Sequence, residues 1–438
     1  MKYFHLILFF QILFGVDAFS QNYTSYITGN TGDLQTVPSG GVCLMGGGTE
    51  NDNAMRWFLQ QANGGDVLVL RASGTDSYNN YMYSQLGVNV NSVETVVFNN
   101  STAATESYIH QKIQQAEAIW FAGGNQWDYI SYWRNTPIDS LINDAISNRK
   151  IVIGGTSAGM AILGGFYFSA ENGTVTSTTA LSNPFDNNLT VDSMSFISNE
   201  YLHDVITDTH YDNPDRKGRH LVFLSRILID YGIEAKGIAC DEYTAVCIDR
   251  NGIAKVFGDY PNYDDNAYFI QTNCELKSVT PENCSSGNPL DWNLGNEAIK
   301  VYTAKGTSNG SNSFDLNDWE AGKGGVWENW YVENGVLYEQ MGSQPNCQTL
   351  NIPIIGEDNS FQAYPNPASD VVSIKFNKTE SAPESLKIIN GLGQVIKRAK
   401  ITNSDEINLT ISDMIQGMYF IQVRYDDKRE LVKKIIIK

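Results

Sequence analysis

Ile151-Val152-Ile153-Gly154-Gly155-Thr156-Ser157-Ala158-Gly159-Met160 constrains the fold more than any other stretch of this chain. An apolar run enters a Gly-x-Ser-x-Gly turn and continues into an Ala/Leu-rich helix, the setting in which this pattern makes a nucleophile elbow. The tight turn pushes Ser157 into a strained backbone conformation with its Oγ exposed. Side chains in place of Gly155 and Gly159 would collide with the neighbouring strand and helix. The helix N-terminus that follows supplies partial positive charge beside a developing oxyanion.

The surrounding pattern repeats the same units. Val42–Met45, Val67–Leu70, Val93–Val97, Ala118–Phe121 and Ile151–Ile153 read as strands. Helical stretches lie between them: from a cap at Thr49 or Asn51 to about Ala62, Thr105–Gln115 and Ile138–Asn148. This alternation implies right-handed βαβ units and a mainly parallel, doubly wound α/β sheet. Sites in such sheets form at the carboxyl ends of strands, which directs attention to Gly46–Gly48, Gly123-Gly124 and Gly154-Gly155. No Gly-Lys-Ser/Thr occurs, so a Walker P-loop is excluded.

A serine nucleophile needs a base and a group to orient it. His110 and His220 fall in helical stretches, the latter in Gly218–Tyr231, and His203 has no distinctive neighbours. His210 follows the short strand Val205-Ile206-Thr207-Asp208 at the start of a polar loop and is the candidate base. The run Gly237-Ile238-Ala239-Cys240 ends in Asp241-Glu242, which makes Glu242 the candidate orienting carboxylate.

With 438 residues, two or three domains are expected. At 42% hydrophobic and 18% charged, the chain can build a real core and is not a disordered polyelectrolyte. Its net charge of −19 argues against nucleic-acid binding, which needs clustered Lys and Arg. Residues 361–438 carry +3 and the remainder −22, a step that supports a domain boundary near residue 355. Lys2, the apolar stretch Leu6 to Val16 and Ala18-Phe19-Ser20 form the pattern of a cleaved secretory signal ending before Gln21. No later segment is apolar enough to span a membrane. The expected organisation is therefore a signal at 1–20, a catalytic domain at 21–350, a linker at 351–360 and a small all-β domain at 361–438.

Six Cys permit disulfides in an exported chain. Cys274 and Cys284, which flank a polar loop containing Pro281, are the expected pair. Cys43 and Cys240 read as buried thiols, and without a paired C-x-x-C a structural zinc site is not expected. Residues 290–350 contain Trp292, Trp319, Trp327, Trp330, Tyr331 and Tyr338. They read as strand-packing residues of a β-rich extension, with a sugar-binding face as the alternative.

Two resemblances add to this reading. Tyr364-Pro365-Asn366-Pro367-Ala368, Asn390-Gly391-Leu392-Gly393-Gln394, Gly417-Met418-Tyr419 and the terminal Lys433-Lys434 with Ile435–Ile437 resemble the type IX secretion sorting domain. That resemblance implies contact with the secretion machinery, export across the outer membrane, and a secreted or cell-surface product.

In the large domain, over roughly residues 35–300, five segments occur in the order found in the cyanophycinase branch of the dipeptidase E serine peptidase family. They are Phe121-Ala122-Gly123-Gly124-Asn125-Gln126, Gly154–Met160, Asp208-Thr209-His210, Arg216-Lys217-Gly218-Arg219 and Asp241-Glu242-Tyr243-Thr244-Ala245. The resemblance implies a flavodoxin-like fold, similar to class I glutamine amidotransferases, and a Ser157–His210–Glu242 triad. It implies an oxyanion hole from the backbone N–H groups of Ala158 and Gly124. Gln126, Asp208, Arg216 and Arg219 would be substrate-binding residues, with no metal or cofactor. The implied activity is hydrolysis of cyanophycin or related β-aspartyl peptides. Thr209 stands where cyanophycinases usually carry Gln, and Pro214 where Arg is frequent. An exported aspartyl dipeptidase or isoaspartyl peptidase, and an inactive polymer-binding surface protein, are the alternatives. A homodimer is compatible with the sequence.

Overall fold

The apolar runs at 42–45, 67–70, 93–97, 118–121 and 151–153 all become strands of one sheet. In a computed structural model of the chain, residues 21–193, 196–347, 361–377, 382–390, 395–401, 405–412, 414–425 and 430–438 are described. The signal expected at 1–20, the linker expected at 351–360 and residues 391–394 of the expected turn lie outside them. The chain divides into two compact units, Met1–Cys347 and Gln348–Lys438.

In the first unit, five parallel strands stand side by side in the order Ser92–Phe98, Asp66–Arg71, Ala118–Phe121, Val152–Thr156 and Gly41–Met45. Tyr23–Gly29 adds an antiparallel strand at one edge. Ala245–Ile248, Ile253–Tyr260, Asn312–Asp315 and Gly322–Lys323 extend the other edge, also antiparallel, to ten strands. A second sheet of eight strands runs Val336–Met341, Gly325–Glu333, Ile299–Lys305, Asn266–Thr272, Lys236–Cys240, Val205–Asp208, Phe166–Phe168 and Val191–Ser193. It is parallel only among Lys236–Cys240, Val205–Asp208 and Phe166–Phe168. The architecture is thus α/β with mixed sheets, each parallel in one central block with antiparallel strands flanking it on both sides.

Alternate residues of each central strand bury on opposite faces, as the period of two requires. Val42 and Leu44 enter an interior that also holds Ile238, Cys240 and Phe269 of the second sheet. Cys43 and Met45 face Met55, Phe58 and Leu59 of the helix Asp52–Gln61. Burying each of those large side chains is worth roughly 1.5–3 kcal/mol, more than the ~1 kcal/mol of the helix cap. That cap is Asn51, which accepts from the backbone N–H groups of Asn53 and Ala54. The far face of the second sheet is covered by Leu221, Val222, Phe223 and Leu224 of the helix Lys217–Tyr231. Trp292, Trp319 and Trp330 are buried among these strands, so they serve as packing residues.

The second unit consists of two antiparallel sheets. One contains Phe361–Tyr364, Val371–Phe376 and Glu406–Thr410. The other contains Val395–Lys400, Pro383–Asn390, Gly417–Tyr425 and Glu430–Ile437. Val372, Ile374, Ile388, Ile421 and Ile435 share one core between them.

The disulfide is not the one expected. Cys274 is joined to Cys347, with Cα atoms 5.4 Å apart and a sequence separation of 73. Cys284 is held elsewhere: its Sγ lies 3.6 Å from Ser225 Oγ, and Asn283 pairs with Asp291. Closeness along the chain does not bring two Cys together when the intervening loop is tied to other elements. Peptide mapping of the unreduced protein should find the Cys274–Cys347 peptide pair and an alkylatable Cys284. Cys347→Ser should cost about 4 kcal/mol of stability in denaturant titration.

His220 is fully buried on the helix Lys217–Tyr231, with Nε2 3.3 Å from the Ile206 carbonyl oxygen. Burial pushes its pKa from 6.5 down to about 4. The unfolded chain therefore binds a proton at this residue between those values while the folded chain does not, so acid withdraws stability in that window. Between pH 7 and pH 4 the parent should lose roughly 3 kcal/mol more unfolding free energy than His220→Gln, measured by urea titration at each pH. Equal losses would contradict this.

Candidate active site

Val152–Thr156 lies between Ala118–Phe121 and Gly41–Met45, and the chain leaves it through Ser157 at φ +51°, ψ −116°. Only close packing tolerates so unfavourable a backbone. A Cβ on Gly159 would overlap the Phe121 carbonyl oxygen, and one on Gly155 would overlap Gly159 itself. Both glycines of the motif are therefore required by contact. The helix that follows, Ala158–Ala161, is a single turn. Beyond it, Gly164 and Gly165 pass directly against the carbonyls of Val205 and His203, where a Cβ would not fit.

His210 and Glu242 arrive from the other sheet. His210 follows Val205–Asp208, and Glu242 follows Lys236–Cys240, which pair in parallel. Ser157 Oγ is 2.8 Å from His210 Nε2, and His210 Nδ1 is 2.5 Å from Glu242 Oε1. With Nδ1 protonated, the imidazole donates to Glu242 and accepts the Ser157 hydroxyl proton. The hydrogen bond from His210 holds the Glu242 carboxyl below its usual range, against an opposing effect of burial and with help from Asn213. The acidic turn Asp212-Asn213-Pro214-Asp215 after Tyr211 supports this carboxylate. Asp212 Oδ1 accepts from the Glu242 backbone N–H at 2.9 Å, and Asn213 Nδ2 lies 3.4 Å from Glu242 Oε2.

The loop at residues 46–48 joins these pieces. Met45 O accepts from Ser157 N at 3.1 Å, Gly46 O from His210 N at 2.8 Å and Gly47 O from Tyr243 N at 2.9 Å, while Gly46 N donates to Thr244 O at 2.9 Å. A Cβ on Gly46 would overlap the Asp241 carbonyl, and one on Gly47 would overlap the His210 ring. The run of three glycines after a strand marks this place in the sequence, but not its function as the junction of three segments.

Two cavities open on either side of Ser157. The smaller, about 200 Å³, is lined by Gly124, Gln126, Asp208, Arg216 and Arg219 together with Ser157 and His210. All four residues expected to bind substrate therefore gather there, but they are not equally free. Arg219 grips buried Asp208 through Nε at 2.8 Å and Nη2 at 2.5 Å, so its fork is already occupied. Burial pushes the Asp208 carboxyl up, but the Arg219 charge and hydrogen bonds outweigh this and hold it below its usual range. Arg216 donates to Thr209 O at 2.9 Å and lies 3.9 Å from Asp208, leaving it the less committed guanidinium. Gln126 Nε2 donates to Phe168 O at 3.2 Å.

The larger cavity, about 550 Å³, is lined by residues that the sequence analysis did not single out, among them Glu50, Asp52, Arg71, Tyr78 and Tyr81. Tyr78 donates to Glu50, and Tyr81 donates to Asp52 at 2.9 Å. Only proximity in space assembles them, since Asp52 opens one helix while Tyr78 and Tyr81 belong to the helical stretch at 77–85.

Residues 42–254 match Peptidase family S51, and residues 362–438 match the Secretion system C-terminal sorting domain. Similar curated proteins include the cyanophycinase of Synechococcus elongatus, 23% identical over 50% of this chain and 66% of that protein. The cyanophycinase of Trichormus variabilis is 24% identical over 38% of this chain and 50% of its own. The chain thus spans between half and about two thirds of the length of these relatives. Similar solved structures include a peptidase from an acI-B1 Actinobacterium, with TM-score 0.41 and 14% identity, covering 64% of this chain and 98% of that one. Another is a putative peptidase E protein from Listeria monocytogenes, with TM-score 0.31 and 20% identity, covering 50% and 96%. The family matches alone mark residues 42–254 as a Peptidase family S51 domain and residues 362–438 as a secretion system C-terminal sorting domain.

Proposed function

We propose that this chain is an exported serine peptidase that hydrolyses cyanophycin, the multi-L-arginyl-poly-L-aspartate polymer, or related β-aspartyl peptides. The observation that carries the reading is the unbroken relay from Glu242 through His210 to Ser157, with the serine held at a strained elbow.

In this mechanism His210 Nε2 takes the Ser157 hydroxyl proton as Oγ bonds to the scissile carbonyl carbon. The N–H groups of Ala158 and Gly124 receive the oxyanion, and losing one such donor would cost roughly 3–4 kcal/mol of transition-state stabilisation. The C–N bond then breaks, and the imidazolium returns the proton to the leaving amine. Water, deprotonated by the same imidazole, releases the acid and restores the serine. Glu242 stays ionised throughout and holds the productive tautomer.

Two features favour an aspartyl polymer bearing arginine. Arg216 and Gln126 offer donors for a carboxylate in the smaller cavity. Glu50 and Asp52 give the larger cavity carboxylates that could receive a cation, beside Arg71, whose guanidinium lies over the Tyr78 ring. The curated relatives named cyanophycinase support the same substrate. The sorting domain supports export by type IX secretion to the surface or medium.

The test is to incubate the full chain with purified cyanophycin and, separately, with short Asp-X peptides. Soluble β-Asp-Arg should appear with the parent and not with Ser157→Ala. Cleavage of the short peptides alone would replace the polymer by an aspartyl dipeptide as substrate. Release by Ser157→Ala would overturn the assignment of the nucleophile.

A further inference from the structure

Below residues 122–124 lies a buried phenol that the relay does not use. Tyr129 is 1% exposed on the helix Gln126–Trp133, its ring stacked on Trp133 with centroids 4.6 Å apart. Its Oη is 2.9 Å from the Ala122 carbonyl oxygen and 3.0 Å from that of Gly123. A phenol has one proton, here shared between two acceptors. Both carbonyls are thereby turned inward.

A trans peptide places its N–H opposite its carbonyl, and the cis bonds among the described residues all precede proline. With the carbonyls of 122 and 123 fixed inward, the N–H groups of Gly123 and Gly124 are turned the other way. That side carries the nucleophile. A Cβ built on Gly123 would lie 3.7 Å from Ser157 Cβ. Gly123 lines the larger cavity with Ser157, and Gly124 lines the smaller one with it. Gly124 also has to be glycine for the phenol to approach, since a Cβ there would lie 2.8 Å from Tyr129 Oη. Two consecutive glycines have little intrinsic preference against a flipped peptide. A flip would put a carbonyl oxygen where an oxyanion donor is needed.

We propose that Tyr129 is a positioning residue that locks the peptides of residues 122–124 so that the Gly124 N–H serves as the oxyanion donor beside that of Ala158, with the Gly123 N–H held on the same side. The proposal rests on the reading of Ser157 as nucleophile, and it assigns the phenol no contact with substrate.

The test uses an alkyl fluorophosphonate, whose attack by serine also develops an oxyanion and which does not depend on the natural substrate. Tyr129→Phe in the full chain should lower the limiting rate of Ser157 labelling by about ten- to a hundredfold, somewhat less than loss of a donor outright. The half-saturating probe concentration should stay within twofold of the parent, and the pH midpoint of labelling should not move. Trp133→Phe, which disturbs the same stack but leaves the hydroxyl, should label like the parent. Replacement of Tyr129 by para-aminophenylalanine, which keeps a donor, should restore most of the rate and remains informative if Tyr129→Phe folds poorly. A Tyr129→Phe rate within twofold of the parent, or an equal loss in Trp133→Phe, would overturn the proposal while leaving the nucleophile intact. A parent chain unlabelled at Ser157 would overturn both.

Discussion

Backbone hydrogen bonds to Met45, Gly46 and Gly47 hold together three segments that have no covalent reason to meet. Ser157 comes from the ten-stranded sheet, while His210 and Glu242 leave strands of the eight-stranded one. Each of these bonds contributes only about 1 kcal/mol, yet they decide whether the relay closes. The chain itself crosses between the sheets at the same place. Residues 241–244 lead from Lys236–Cys240 directly into Ala245–Ile248, which pairs with Gly41–Met45. The glycine loop, the crossing and the elbow are thus one joint, and its glycines are dictated by the atoms they touch.

Strain is concentrated there as well. Ser157, His210 and Tyr243 all have positive φ, at 51°, 47° and 64°. Each such residue costs of order 1–3 kcal/mol. The apolar interior shared by the two sheets is what offsets that cost, with residues such as Leu44, Ile153, Ile238 and Phe269 fully buried. Core packing and site geometry are in this sense a single problem. The acidic turn at 212–215 is part of the same joint: it supplies both an acceptor for the Glu242 backbone N–H and a second partner for its carboxylate.

Much of this was legible in the sequence, for identifiable reasons. Ala118–Phe121 and the elbow declare themselves through short-range patterns: apolar runs, glycine spacing and a helix start. The strand end before His210 could be read the same way. The second sheet could not, because a strand pattern does not say which sheet a strand joins. In the sequence Arg219 reads as a substrate-binding residue. Its partner, Asp208, was visible too, but only the fold shows that the two grip each other. The short polar loop between Cys274 and Cys284 suggests a disulfide, but chain proximity does not become contact, because Cys284 is held against Ser225 and Cys274 meets Cys347. Glu50, Asp52, Tyr78 and Tyr81 carry no local signature, since the cavity wall is assembled from segments far apart in the chain.

The central claim is that the second sheet completes and activates the serine of the first. Replacing Glu242 by Gln changes one atom of the relay and leaves Ser157 on its own strand. The rate of Ser157 labelling by a fluorophosphonate, followed by mass spectrometry of the full chain, tests the link directly. The account predicts labelling of Ser157 in the parent and a rate lower by at least about a hundredfold in Glu242→Gln. Equal rates in the two chains would contradict it.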